Sequence, residues 1–120
     1  MKRSLLMMLI ILSTSEGGAF ETKASWYSEA SCRREGTSGI TASGVQFRED
    51  GLSCASWDYA FGTILEVSYK GRKVRVCVTD RGPNKRLYRQ GRKLDLSKGA
   101  FRKLAPLEQG VIACSVTRLP

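Results

Sequence analysis

A chain of 120 residues with 42% hydrophobic residues and a net charge of +9 holds one small basic domain rather than a disordered tract. It contains no histidine, which excludes any mechanism built on an imidazole base or ligand. Its four cysteines form no C-x-x-C pair, so no metal or other cofactor is expected.

The first nineteen residues read as a secretory signal peptide. Lys2 and Arg3 form a basic start, Leu5 to Leu12 is an uncharged apolar run, and Gly17, Gly18 and Ala19 supply small residues for cleavage. Eight apolar residues cannot span a hydrocarbon core about 30 Å thick, and no cysteine follows the run to carry a lipid. The expectation is therefore a leader over residues 1–19 and a monomeric, unanchored domain over residues 20–120, secreted or periplasmic. Removing the leader takes Lys2, Arg3 and Glu16 and leaves +8. Such a charge suits anionic polymers, whether cell wall, polysaccharide or nucleic acid. Export, and a basic loop without interleaved aromatics, argue against nucleic acid. An even number of cysteines in a small exported domain suggests two disulfides. Three connectivities are open. Cys32–Cys54 and Cys77–Cys114 are expected, the first tying an irregular loop to a nearby segment and the second joining two strands.

In chain order, residues 23–28 read as a first strand, and the Gly/Ser/Thr-rich stretch 31–44 as a loop. Residues 45–47 are a brief strand candidate, 48–53 a charged turn, and 54–57 another short strand. Thr63 to Tyr69 is a stronger strand, with Thr63, Leu65, Val67 and Tyr69 on one face. Residues 70–73 reverse the chain into a period-2 strand at 74–80, making a hairpin. Val74, Val76, Val78 and Asp80 share a face there, so Asp80 is expected to continue the apolar row to the strand's end. A turn over 81–84 opens a loop to Lys93 that carries six basic residues, Arg81, Lys85, Arg86, Arg89, Arg92 and Lys93. Asp95 lies between Leu94 and Leu96. A short helix follows, with Ser97 as N-cap, Ala100, Phe101 and Leu104 at helical spacing, and Pro106 as its stop. A last strand covers 111–117, with Ile112, Cys114 and Val116 on one face. Many short strands with one short helix suggest a small closed or nearly closed barrel.

Five strings occur in order: A-S-W-Y at 24–27, T-A-S-G at 41–44, A-F-G-T at 60–63, T-D-R-G-P at 79–83 and L-D-L-S at 94–97. Together they resemble the rare lipoprotein A family over nearly the whole mature chain. The resemblance implies a mainly β fold, a six-stranded double-psi β-barrel with one or two short helices, here with disulfide staples, like the first domain of expansins. It also implies action on peptidoglycan. Some members are endolytic transglycosylases, which cut glycan strands without water and leave 1,6-anhydro ends.

Carried over residue by residue, the family's two acids are Asp80 of D-R-G-P and Asp95 of L-D-L-S, the expected catalytic pair. The family's transglycosylases carry a Glu, an Asp and a His where this chain has Val45, Arg48 and Ser56. Glu49 and Asp50, close to the missing Asp, are candidate substitutes. Thr41, Trp57, Tyr59, Arg81 and Arg92 are the expected substrate-binding residues. Trp57 and Tyr59 suit sugar platforms better than Trp26 and Tyr27 because they replace the His-bearing segment, and the loop cations suit peptide-stem carboxylates. Two further readings remain open: a non-catalytic, expansin-like glycan binder, and a secreted interaction or inhibitor barrel.

Overall fold

The computed structural model describes residues 18–34 and 39–120, the side chains of residues 32–34 excepted. Nearly all of the expected leader, residues 1–17, lies outside the described residues. The elements run β1 (Phe20–Tyr27), α1 (Glu29–Arg34), β2 (Ser53–Ala55), β3 (Ile64–Tyr69), β4 (Arg72–Asp80), α2 (Lys85–Arg89), β5 (Arg92–Ser97), α3 (Lys98–Arg102), a 3-10 turn (Leu107–Gln109) and β6 (Val111–Arg118). The six strands close into a barrel in the order β1-β5-β2-β4-β3-β6. β1 pairs with β5, and β2 with β4, in parallel. The other four pairings are antiparallel.

Alternation builds the core. Leu65 and Val67 of β3, Val74, Val76 and Val78 of β4, Leu94 and Leu96 of β5, and Ile112, Cys114 and Val116 of β6 all turn inward and are buried. Ala24, Cys54 and, from α3, Ala100 and Phe101 complete the cluster. Each large side chain fully buried here contributes roughly 1.5–3 kcal/mol. The β3–β4 hairpin closes through Lys70 and Gly71, between the paired residues Tyr69 and Arg72. Both central residues have positive φ, 48° and 82°, as a two-residue primed turn requires.

Three elements were not expected. β5 offers only Leu94 and Leu96 as an apolar row, too short a pattern to declare a strand, yet it lies between β1 and β2 and pairs with both. In α1, Ser28 Oγ accepts from the Ser31 amide at 3.3 Å, an N-cap in place of the expected loop. α2 starts at Asn84, whose side chain accepts from the Arg86 amide at 2.8 Å. The strand expected at 45–47 reduces to a single bridge between Ile40 and Gln46.

The expected Cys77–Cys114 disulfide does not form. Cys77 and Cys114 are free thiols, as is Cys54. Cys114 points into the core, whereas Cys77 alternates with the buried Val76 and Val78 and lies half-exposed on the outside. Their strands are also separated by β3. For the Cys32–Cys54 pairing, the Cys32 side chain lies outside the described residues.

Loop 48–51 is laid on the start of α3. Gly99 N–H donates to Glu49 O at 2.7 Å, and Ser97 Oγ donates to Gly51 O at 2.6 Å while accepting from Ala100 N at 3.3 Å. These contacts satisfy amides that a helix start leaves without intrahelical partners. Lys98 and Arg102 hold Glu49 and Asp50 as ion pairs, both at 3.8 Å.

A Cβ on Gly99 would meet the Asp50 carbonyl oxygen at 2.7 Å. Gly99→Ala should therefore cost about 1–3 kcal/mol of stability in urea unfolding, as overpacking does; an unchanged midpoint would show that the loop yields freely. Burial pushes the Cys114 thiol up to about 12 and the Cys54 thiol higher still. Folding then keeps these groups protonated where the unfolded chain ionises near pH 9. Their stabilising contribution is complete below that pH and is lost between pH 9 and 12, roughly 1.4 kcal/mol per pH unit for each thiol. Cys114→Val should flatten the alkaline slope of a stability–pH series, and an identical slope would remove Cys114 from it.

Candidate active site

The site begins with a register irregularity. Cys54 pairs with Val78, but the next residue, Ala55, pairs with Asp80. Two residues of β4 answer one step of β2, a bulge that re-aims the strand's last side chain. Asp80 therefore leaves the row of Val74, Val76 and Val78 and comes level with Ala55 on the outer surface, not at the end of the core face. On the other side of β2, Ala55 pairs with Asp95. Asp95 alternates with the buried Leu94 and Leu96, so it too faces outward. β5 then pairs Asp95 with Ser25 of β1. Four neighbouring strands thus carry a row, Ser25, Asp95, Ala55 and Asp80. The two acids are separated by two strand spacings, about 9.6 Å of backbone.

Both acids line one cleft of about 240 Å³, with Tyr27, Ile40, Thr41, Phe47, Ala55, Trp57 and residues 81–84 among its walls. Asp95 Oδ1 accepts from Ser25 Oγ at 2.7 Å. Asp80 Oδ1 accepts from the amides of Ala42 and Arg81, each at 2.9 Å. The floor has to be small at its centre: Ala55 is buried, and a Cβ on Gly82 would meet the Ala55 Cβ at 3.3 Å. The Gly82–Pro83 peptide is cis.

The remaining expected site residues divide. Trp57 lies in the cleft wall, 39% exposed, and its indole Nε1 donates to Pro83 O at 2.7 Å. Thr41 also lines the cleft, but its hydroxyl donates to Val45 O at 2.9 Å and braces its own loop. That loop acts through its backbone: Ala42 N–H holds Asp80, and Ser43 N–H donates to Thr79 O at 3.1 Å. Arg81 borders the cleft, yet its Nη1 donates to the carbonyls of Ser56 and Tyr59 at 2.8 and 2.9 Å. Its guanidinium also sits 3.9 Å over Phe61. Arg81 therefore clamps the loop that presents Trp57.

Tyr59 does not reach the cleft. It stacks on Phe20, with ring centroids 6.2 Å apart, and packs against the core; burial raises its hydroxyl pKa. Arg92 opens β5 beside Lys23 and is not among the cleft residues. Glu49 and Asp50 are directed to α3 and do not line the cleft either. At the three positions that differ from the family's transglycosylases, Val45 is exposed, Arg48 is exposed, and Ser56 is buried with its Oγ accepting from Asp58 N at 3.0 Å.

The sequence reading missed Ser25 as the partner of Asp95, and Phe47, which stacks on Tyr27 with centroids 4.5 Å apart. Ser25 and Tyr27 both stand in the A-S-W-Y string. Alternation along β1 sends the two of them outward while Ala24 and Trp26 turn to the core.

The profile of the lytic transglycolase family matches residues 19–116. A probable endolytic peptidoglycan transglycosylase RlpA of Aquifex aeolicus is 44% identical over 91 residues, covering 74% of this chain and 36% of that protein. The chain spans 24–36% of the length of the curated relatives it matches. Among solved structures, the Streptomyces papain inhibitor superposes with a TM-score of 0.67 at 28% identity, covering 87% of this chain and 96% of the inhibitor. The apo Clavibacter michiganensis expansin gives 0.63 at 26%, covering 85% of this chain and 50% of the expansin. The closed six-stranded barrel, its outward row of acids and the match along almost all of the described residues agree: the chain belongs to the lytic transglycolase family of RlpA-like double-psi β-barrels.

Proposed function

We propose that this protein is an exported endolytic peptidoglycan transglycosylase whose proton-handling residues are Asp80 and Asp95. The observation that carries the reading is the placement of both carboxylates on either side of Ala55 in one cleft. A glycan strand lying across that floor meets one acid on each side. Asp95 delivers its proton to the bridging oxygen as the bond from the anomeric carbon to that oxygen breaks. The sugar's own C6 hydroxyl oxygen then closes on the anomeric carbon, and Asp80 takes the hydroxyl proton. No water enters, and the products are a free hydroxyl end and a 1,6-anhydro end. A hydrolase would instead need one carboxylate to activate water or attack the sugar. Tyr27, Phe47 and Trp57 give the cleft the flat apolar walls that suit pyranose faces.

A second reading is kept because of one observation. The barrel covers 96% of the solved papain inhibitor chain, against 24–36% of the curated transglycosylases, although the sequence match spans 33% of the curated papain inhibitor too. In that reading the barrel binds a thiol protease and leaves sacculi intact.

Mass spectrometry of soluble products from purified sacculi should reveal anhydro-ended fragments with the wild type. Asp95→Asn and Asp80→Asn should each reduce them at least about 100-fold with unchanged far- and near-ultraviolet circular dichroism, since the replacement is isosteric. Undiminished cleavage by either variant would remove that residue from the chemistry. Sacculus binding without fragments from the wild type would favour an expansin-like binder. Stoichiometric inhibition of papain without sacculus binding would favour the inhibitor.

A further inference from the structure

The tip of the β3–β4 hairpin and the segment after α3 enclose a depression of about 550 Å³, with Tyr69, Lys70, Arg72, Arg102, Pro106 and Gln109 among its walls. Among the described residues, no aspartate or glutamate lines it. It shares no residue with the cleft. β4 begins at Arg72 in the depression and ends nine residues on at Asp80 in the cleft, which is about 27 Å of strand.

Lys70 occupies a costly place. Its φ of 48° lies in the left-handed region, and it is the one non-glycine residue with positive φ among the described residues. Asparagine or glycine would meet the demands of this two-residue turn more easily. Turn chemistry therefore does not account for a lysine here; what the lysine adds is a charge on the depression. Its Nζ stands 5.3 Å from the Tyr69 ring centroid. The Tyr69 hydroxyl accepts from Gln109 Nε2 at 3.4 Å, and that donor, with the Lys70 ammonium, lowers the hydroxyl's pKa. No ion pair among the described residues engages Lys70 or Arg72. Arg102 meets Asp50 at 3.8 Å, but both side chains are more than half exposed, and such a pair yields to a competing anion at little cost.

We propose that this depression is a docking site for a phosphodiester-linked polymer of polyols or sugars, separate from the cleft. Its donors come from three elements, the hairpin, α3 and the 3-10 turn, and converge from directions that do not share a plane. A tetrahedral phosphodiester presents oxygens in such directions, whereas a carboxylate presents two in one plane. Guanidinium groups fork onto phosphate oxygens, and the ammonium adds a point charge. The surface is concave, so it admits a single chain better than a flat bilayer. A polymer held here concentrates the domain at the surface that bears it and leaves the cleft open.

The test titrates poly(glycerol phosphate) into the full chain by calorimetry and repeats the titration with a Lys70→Asn/Arg72→Gln variant. The variant should bind about ten-fold more weakly, the loss of one or two charge-assisted contacts, and added salt should narrow the difference. Lys70→Arg should bind as the wild type does. Lys70→Asn alone should not lower the urea midpoint, since asparagine adopts positive φ more readily; a lower midpoint would overturn the reading of Lys70 as a ligand group. Arg86→Gln/Arg89→Gln removes the same charge from exposed positions of α2 and should leave the affinity nearly unchanged, as should Asp95→Asn in the cleft. The proposal is overturned if the wild type does not bind the polymer, or if the Lys70/Arg72 variant binds it equally well. An equal loss in the α2 variant overturns it in favour of net charge alone. Equal affinity for polygalacturonate, a carboxylate polymer, overturns the choice of phosphodiester. Phosphatidylglycerol vesicles that capture the chain and are not displaced by the polymer would assign the surface to a membrane instead.

Discussion

The site depends on the pairing of three residues. β2 is the shortest strand of the barrel, Ser53–Ala55, yet it hydrogen-bonds to β4 on one side and β5 on the other. Its last residue is the point at which both acids are brought level. Without the irregularity between Cys54 and Ala55, Asp80 would follow three valines inward, where an unpaired carboxylate is too costly to bury. With it, a chain segment of ordinary alternation ends in a half-buried acid held by two amides. The closed barrel is what fixes this register, since β2 has no free edge along which to slip.

Much of the fold was legible. The valine row of β4, the Leu65–Val67 row of β3 and the Ile112–Cys114–Val116 row of β6 each repeat every second residue over enough length to be read locally. Ser97 and Pro106 marked the ends of the α3 region. β5 was not legible because its pattern is two leucines long and its partners lie about seventy and forty residues upstream, so neither the parallel pairing with β1 nor the antiparallel one with β2 leaves a turn signal. The same limit applies to the acids. Sequence strings named Asp80 and Asp95, but only the bulge opposite Ala55 puts Asp80 on the outer face. The positions of Tyr59, away from the cleft, and of Arg81, bordering it, also have a physical cause. Residues 56–59 bend, so Trp57 and Tyr59 do not share a face, and a charged guanidinium with carbonyls and an aromatic ring nearby serves the fold before it serves a ligand.

The cysteines show how strand parity overrides counting. An even number of thiols invites pairing, but a side chain directed into a barrel cannot meet one directed out of it. Cys114 adds to the core as a small apolar group, and burial holds its proton. Stability in this small domain then rests on the closed sheet, on Phe101 and its neighbours, and on the loop that lies over Gly99 without room for a methyl group.

The antiparallel pairing of the first and last strands has an architectural consequence. Phe20 faces Val116 across the β1–β6 seam, while the other end of β1 runs to Tyr27 in the cleft wall. The chain therefore enters and leaves the barrel side by side, near Tyr59, which stacks on Phe20. A flexible tether or a second module attached at either end would therefore start from the same seam. One barrel of this kind can be strung into longer polypeptides of different design through that one seam.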